Sequence, residues 1–79
     1  MTLERIYEKA TEVAAKYRFP WPYEIEVTVC VGTKGIHYQC YLVSDKLGCL
    51  DAWITDSVAT PAELLAEFET MIDTNLSML

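Results

Sequence analysis

Hydrophobic and polar positions alternate with a different period in each part of this chain. In the first part, Leu3, Ile6, Tyr7, Ala10, Val13, Ala14 and Tyr17 recur at three- and four-residue spacing, while Glu4, Glu8, Lys9, Glu12 and Lys16 fill the other side. That spacing gathers the apolar set on one flank of an amphipathic helix. Thr2 can cap its N-terminus with a hydroxyl, and Phe19-Pro20-Trp21-Pro22 must end it, because proline lacks the amide donor and restricts the residue before it.

From Tyr23 the period falls to two. Tyr23, Ile25, Val27, Val29 and Val31 point one way, and Glu24, Glu26, Thr28 and Cys30 the other, as in a half-buried strand rich in β-branched residues. Gly32-Thr33-Lys34-Gly35 predicts a tight hairpin, after which Ile36, Tyr38, Cys40 and Leu42 continue the inward set. A second turn at Ser44-Asp45-Lys46-Leu47-Gly48 leads to a third strand with Leu50, Ala52 and Ile54 expected inward. Thr60-Pro61-Ala62-Glu63 then opens a second helix, with a capping hydroxyl, a proline at the first helical position and a glutamate three residues after the cap. Its apolar stripe is Leu64, Leu65, Phe68, Met71, Ile72 and Leu76.

The expected fold class is therefore α+β: a single domain over residues 1–79 in αβββα order, with a three-stranded antiparallel meander and both helices packed on its one apolar face. The other sheet face should be open to solvent. With a two-residue loop at Thr33-Lys34 and a five-residue loop at 44–48, that face reads in four cross-strand rows. They are Glu24, Val43, Cys49; Glu26, Tyr41, Asp51; Thr28, Gln39, Trp53; and Cys30, His37, Thr55.

Charge adds a direction to this picture. The net charge of −6 is carried wholly by residues 47–79, where Asp51, Asp56, Glu63, Glu67, Glu69 and Asp73 have no Lys or Arg among them. Such a field repels nucleic acid and acidic lipid and draws the chain towards a basic surface. Glu63 with Glu67, and Glu69 with Asp73, are like-charge pairs one helical turn apart, and Asp73 sits near the helix end that disfavours an anion. Local costs of this kind suit a surface selected for a basic partner. Trp53 and Tyr41 on the open face are candidate interface anchors, although Trp53 could equally be covered by Trp21 or Phe19 folding round from the linker.

Catalysis finds little support. Cys30 opposite His37, with Thr55 beside them, lacks an oxyanion hole, an orienting group and a pocket. The same two ligands do not make a metal site, since Cys49 falls far along the strands and Cys40 points inward, and three cysteines without a CxxC pair make neither a disulfide framework nor a zinc signature. Glu26 and Asp51 flank Tyr41 on a solvated face, which gives neither the cleft nor the burial that a carboxylate dyad needs. No catalytic residue, metal or cofactor is expected. No run of about 20 apolar residues and no signal-peptide pattern is present, so the expected setting is soluble and cytoplasmic, or the cytoplasm of a host.

The element order resembles that of the double-stranded RNA-binding domain. In that family lysines at the start of the second helix clamp phosphates, whereas Thr60-Pro61-Ala62-Glu63 carries no base here, so RNA binding does not carry over. In size, acid excess and open sheet the chain is also similar to the small acidic proteins by which phages block host defences, including anti-CRISPR proteins and nucleic-acid mimics. That resemblance implies an inhibitor that occludes a basic, nucleic-acid-binding surface of a partner protein without binding nucleic acid or membrane itself. The partner-binding residues are then Glu63, Glu67, Glu69 and Asp73, with Glu26, Tyr41, Asp51 and Trp53. The alternative is a structural module that self-associates or joins a larger complex, through the sheet edge or the apolar tail Leu76-Ser77-Met78-Leu79.

Overall fold

A computed structural model of the chain describes residues 2–19, 22–44 and 52–78. Expectations placed on Trp21, the turn at 45–48, Cys49, Leu50, Asp51 and Leu79 lie outside these described residues. The order is α1 (Leu3–Ala15), β1 (Glu24–Gly32), β2 (Gly35–Val43), β3 (Ala52–Ile54) and α2 (Pro61–Ser77), an α+β fold in αβββα order. The antiparallel strands lie in the order β1-β2-β3, and both helices pack on one face of the sheet.

Both helices begin where a hydroxyl satisfies an orphan amide. Thr2 accepts from the Arg5 amide at 3.2 Å, and Thr60 from the Glu63 amide at 3.2 Å with Pro61 in the first turn. The Glu63 carboxylate accepts from the Thr60 hydroxyl at 3.2 Å. The core that results is built from Ile6, Ala10 and Ala14 of α1, Ile25 of β1, Cys40 and Leu42 of β2, and Leu64, Phe68 and Ile72 of α2. Burial raises the Cys40 thiol from its ordinary 9.0 to about 12, because the charged thiolate is the form that loses hydration. Lys16 crosses to α2 and donates to Glu69 at 2.8 Å, and that contact raises its pKa.

The β1–β2 register is the expected one, with Glu26 opposite Tyr41, Thr28 opposite Gln39 and Cys30 opposite His37. Thr33 and Lys34 form the turn without positive φ; the left-handed value of 103° falls on Gly35, where no Cβ opposes it. The β2–β3 register differs from expectation by three residues. Tyr41 stands opposite Ile54, Leu42 opposite Trp53 and Val43 opposite Ala52. Eight residues, 44–51, therefore separate the paired ends rather than five. An odd shift turns every side chain to the other face, so Trp53 points to the core side and Ile54 to the open side. Thr55 also faces inward and is buried, its hydroxyl accepting from the Cys40 amide at 3.0 Å while its own amide donates to the Cys40 carbonyl at 3.0 Å. One more bridge, between Tyr38 and Val58, follows with an extra residue on the Val58 side, and the chain then leaves for α2.

Inward-facing residues are not all covered. Helix α1, at 13 residues, is about 20 Å long, while the nine-residue strands run about 30 Å. Ile25 near the base of β1 is 7% exposed, but Val29, Val31 and Ile36 near its turn are exposed, Val31 to 79%. Leu3 and Tyr7, expected in the core stripe of α1, are also exposed and line a shallow groove with Val27.

Candidate protein-binding surface

The residues expected to meet a partner occupy three places. Glu63 and Glu67 are exposed one turn apart on α2 and border a shallow depression with Val58, Ala66 and Thr70. Glu69 and Asp73 lie on another flank of α2, beside Tyr17 and Lys16. There the Tyr17 hydroxyl donates to the Glu69 backbone carbonyl at 3.4 Å. Desolvation first, and then the charges of Asp73 and Glu69, push the Tyr17 pKa up. The uncompensated charge expected for Glu69 is thus corrected, because Lys16 neutralises it across the helix seam. Glu26 and Tyr41 form the third place, on the sheet face that neither helix covers.

Trp53 does not join them. Its pairing with Leu42 sets it against the core, and its ring lies 6.3 Å from that of Phe19, which in turn lies tilted at 45° against Tyr23 with centroids 4.6 Å apart. The covered alternative, with Phe19 supplying the cover, is what the structure contains. Asp51 lies outside the described residues. The open face gains a residue that the sequence pattern had turned inward: Ile54, 52% exposed and opposite Tyr41. One row of this face reads Glu26, Tyr41, Ile54, and the next Glu24, Val43, Ala52. Two acids thus flank a strip of one aromatic and three aliphatic side chains, and no Lys or Arg stands in either row. Only a correct β2–β3 register could have shown Ile54 here, since both parities of 50–55 place apolar residues on each face.

The Cys30–His37 pair is formed, near the turn, but its proposed third member is absent from the row because Thr55 is turned inward and bonded to Cys40. Among the described residues no group of three His, Cys, Asp or Glu side chains is placed to hold a metal ion. No described helix is long and apolar enough to cross a membrane. Comparison with protein-family models, curated proteins and solved structures finds no match.

Proposed function

We propose that the chain is a non-enzymatic protein-binding module that docks its open sheet face on a basic partner surface, of the kind that otherwise holds nucleic acid. The observation that carries this reading is the row Glu26, Tyr41, Ile54, lying on a face without a covering helix and, among the described residues, without a Lys or Arg in its rows. A rigid aromatic ring beside aliphatic side chains supplies contact area at low entropic cost, and the flanking carboxylates select a cationic partner and speed its approach. The net charge of −6 acts in the same sense at longer range. Occupation of a basic channel by such a face would exclude phosphates, which is the mode of action of acidic inhibitor proteins.

The test starts from a partner captured from a cell lysate and is decided by variants of the chain. Tyr41→Ala should weaken binding by about 2 kcal/mol or more, and the double reversal Glu24→Lys with Glu26→Lys should slow association most strongly at low salt. Reversal of Glu63 and Glu67 to Lys acts only through the net charge, so it should slow association less than the Glu24 and Glu26 reversal does and leave dissociation unchanged. If reversal on α2 abolishes binding while Tyr41→Ala is neutral, the docking surface is the helix and the open-face reading is wrong.

A further inference from the structure

The outer edge of β1 combines three observations that the open face does not explain. It is a complete strand edge: β1 is terminal in the sheet and keeps nine regularly paired residues, without a proline, a lysine or a bulge to blunt it. Its unpaired groups can be assigned. Tyr38 and Cys40 direct their backbone groups to Val58 and Thr55, so the alternate residues of β2 bond β1 through Cys30, Thr28 and Glu26. Ile25, Val27, Val29 and Val31 are left with N–H and C=O groups on the free side that bond nothing among the described residues. The same edge carries the exposed apolar side chains Leu3, Tyr7, Val29 and Val31. Finally, Thr28 at the centre of the strand has a hydroxyl oxygen that is buried without a hydrogen-bond partner among the described residues.

We propose that two copies of the chain pair through β1, antiparallel and centred on Thr28, to form a continuous six-stranded sheet with all four helices on one side. The free groups fix the parity, because only Ile25, Val27, Val29 and Val31 can exchange bonds across the new seam, and each must meet an odd-numbered partner. Charge then restricts the register. Centres at Ile25 or Glu26 set glutamate against glutamate, whereas centring on Thr28 sets Glu26 against Cys30 of the second copy and Glu24 against Gly32. This centre also uses all nine residues. Val29 and Val31 of one copy then come opposite Val27 and Ile25 of the other, beside the groove lined by Leu3 and Tyr7. Each copy's uncovered end is thereby sheltered by the other's helix. The two Thr28 side chains face each other at a non-hydrogen-bonded position, with Cα atoms about 4.5 Å apart, where rotation about χ1 would bring the hydroxyls, each buried within its own copy, out to pair.

Sedimentation equilibrium of the full chain and two kinds of variant test this. The wild type should be a dimer in reversible equilibrium with monomer. Val29→Pro removes an amide that bonds nothing among the described residues of one copy, so it should leave the monomer folded by circular dichroism and weaken dimerisation by at least about tenfold. Thr28→Lys and Thr28→Glu should each be monomeric, since each sets like charges together at the centre, and an equimolar mixture should recover the dimer. Should Val29→Pro fail to fold, the Thr28 pair decides alone. A wild type that stays monomeric, a dimer that survives these variants, or a mixture that fails to reassociate would each overturn the proposal. Tyr41 and Ile54 are untouched by the variants, so the open-face reading stands or fails separately.

Discussion

Ile25 and Val31 belong to one strand, point to one face and differ in size by a single methylene, yet Ile25 is 7% exposed and Val31 79%. Near the base of the β1–β2 hairpin, α1 and α2 close over Ile25, Cys40 and Leu42, and Phe19, Tyr23 and Trp53 pack at the margin. Towards the turn the same alternation continues with no helix above it. Alternation therefore states which way a side chain points, while the length of the covering element states whether it is buried. A helix gains about 1.5 Å per residue and a strand about 3.3 Å, so 13 helical residues cannot shelter nine extended ones.

The largest effect should come from the base. Leu42→Ala should cost about 2–5 kcal/mol in urea unfolding, since Leu42 is wholly buried between strand and helices and its removal leaves a cavity. A cost below about 0.5 kcal/mol would mean that the base is packed no better than the tip.

Alkaline pH should produce a smaller effect, seated in the same region. The unfolded Cys40 thiol ionises around its ordinary 9.0, whereas the folded one keeps its proton up to about 12. Between these values the unfolded state binds fewer protons, so the contribution is complete below pH 9 and is lost as pH rises, by up to about 1.4 kcal/mol per pH unit. The raised values of Tyr17 and Lys16 act in the same direction. Denaturation midpoints across this range should fall less steeply for Cys40→Ala than for wild type, and parallel slopes would show that water reaches the thiol.

Least affected should be the tip. At high dilution, Val31→Ala should change stability by less than about 0.5 kcal/mol, because the side chain already stands in water. A cost that grows with protein concentration would show the residue being buried between copies, as mass action requires when only the folded state associates.

How far such contrasts could be read in advance depended on the connection. Gly32 and Gly35 bracket a two-residue turn, which ties the β1–β2 register to Thr33-Lys34 and places Glu26 beside Tyr41 without reference to anything distant. No such constraint acts on residues 44–51. Leu50, Ala52 and Ile54 made a plausible inward set, but the alternate set contains Trp53, whose larger apolar area gains more from the core face. Tertiary packing decided between them, and with that choice Trp53 left the candidate surface and Ile54 entered it. The two pairs of acids on α2 were each legible from their spacing. Lys16, 53 residues from Glu69, was not, because its reach across to α2 depends on how the helices lie together.

The position of Cys40 in the core, on the strand that α2 covers, also gives the chain an internal gauge of its own opening. Only a thiolate attacks an alkylating reagent, and this one is both screened from the reagent and held protonated until the core separates, whereas Cys30 lies exposed on the same hairpin. Peptide-resolved alkylation at a fixed pH would therefore time two events in one molecule: collision with reagent at Cys30, and excursions that part the helices from the sheet at Cys40. Where reclosing outpaces alkylation, the ratio of the two rates, referenced to the free-thiol rate, measures how often the core is open, without denaturant and without any label introduced by mutation.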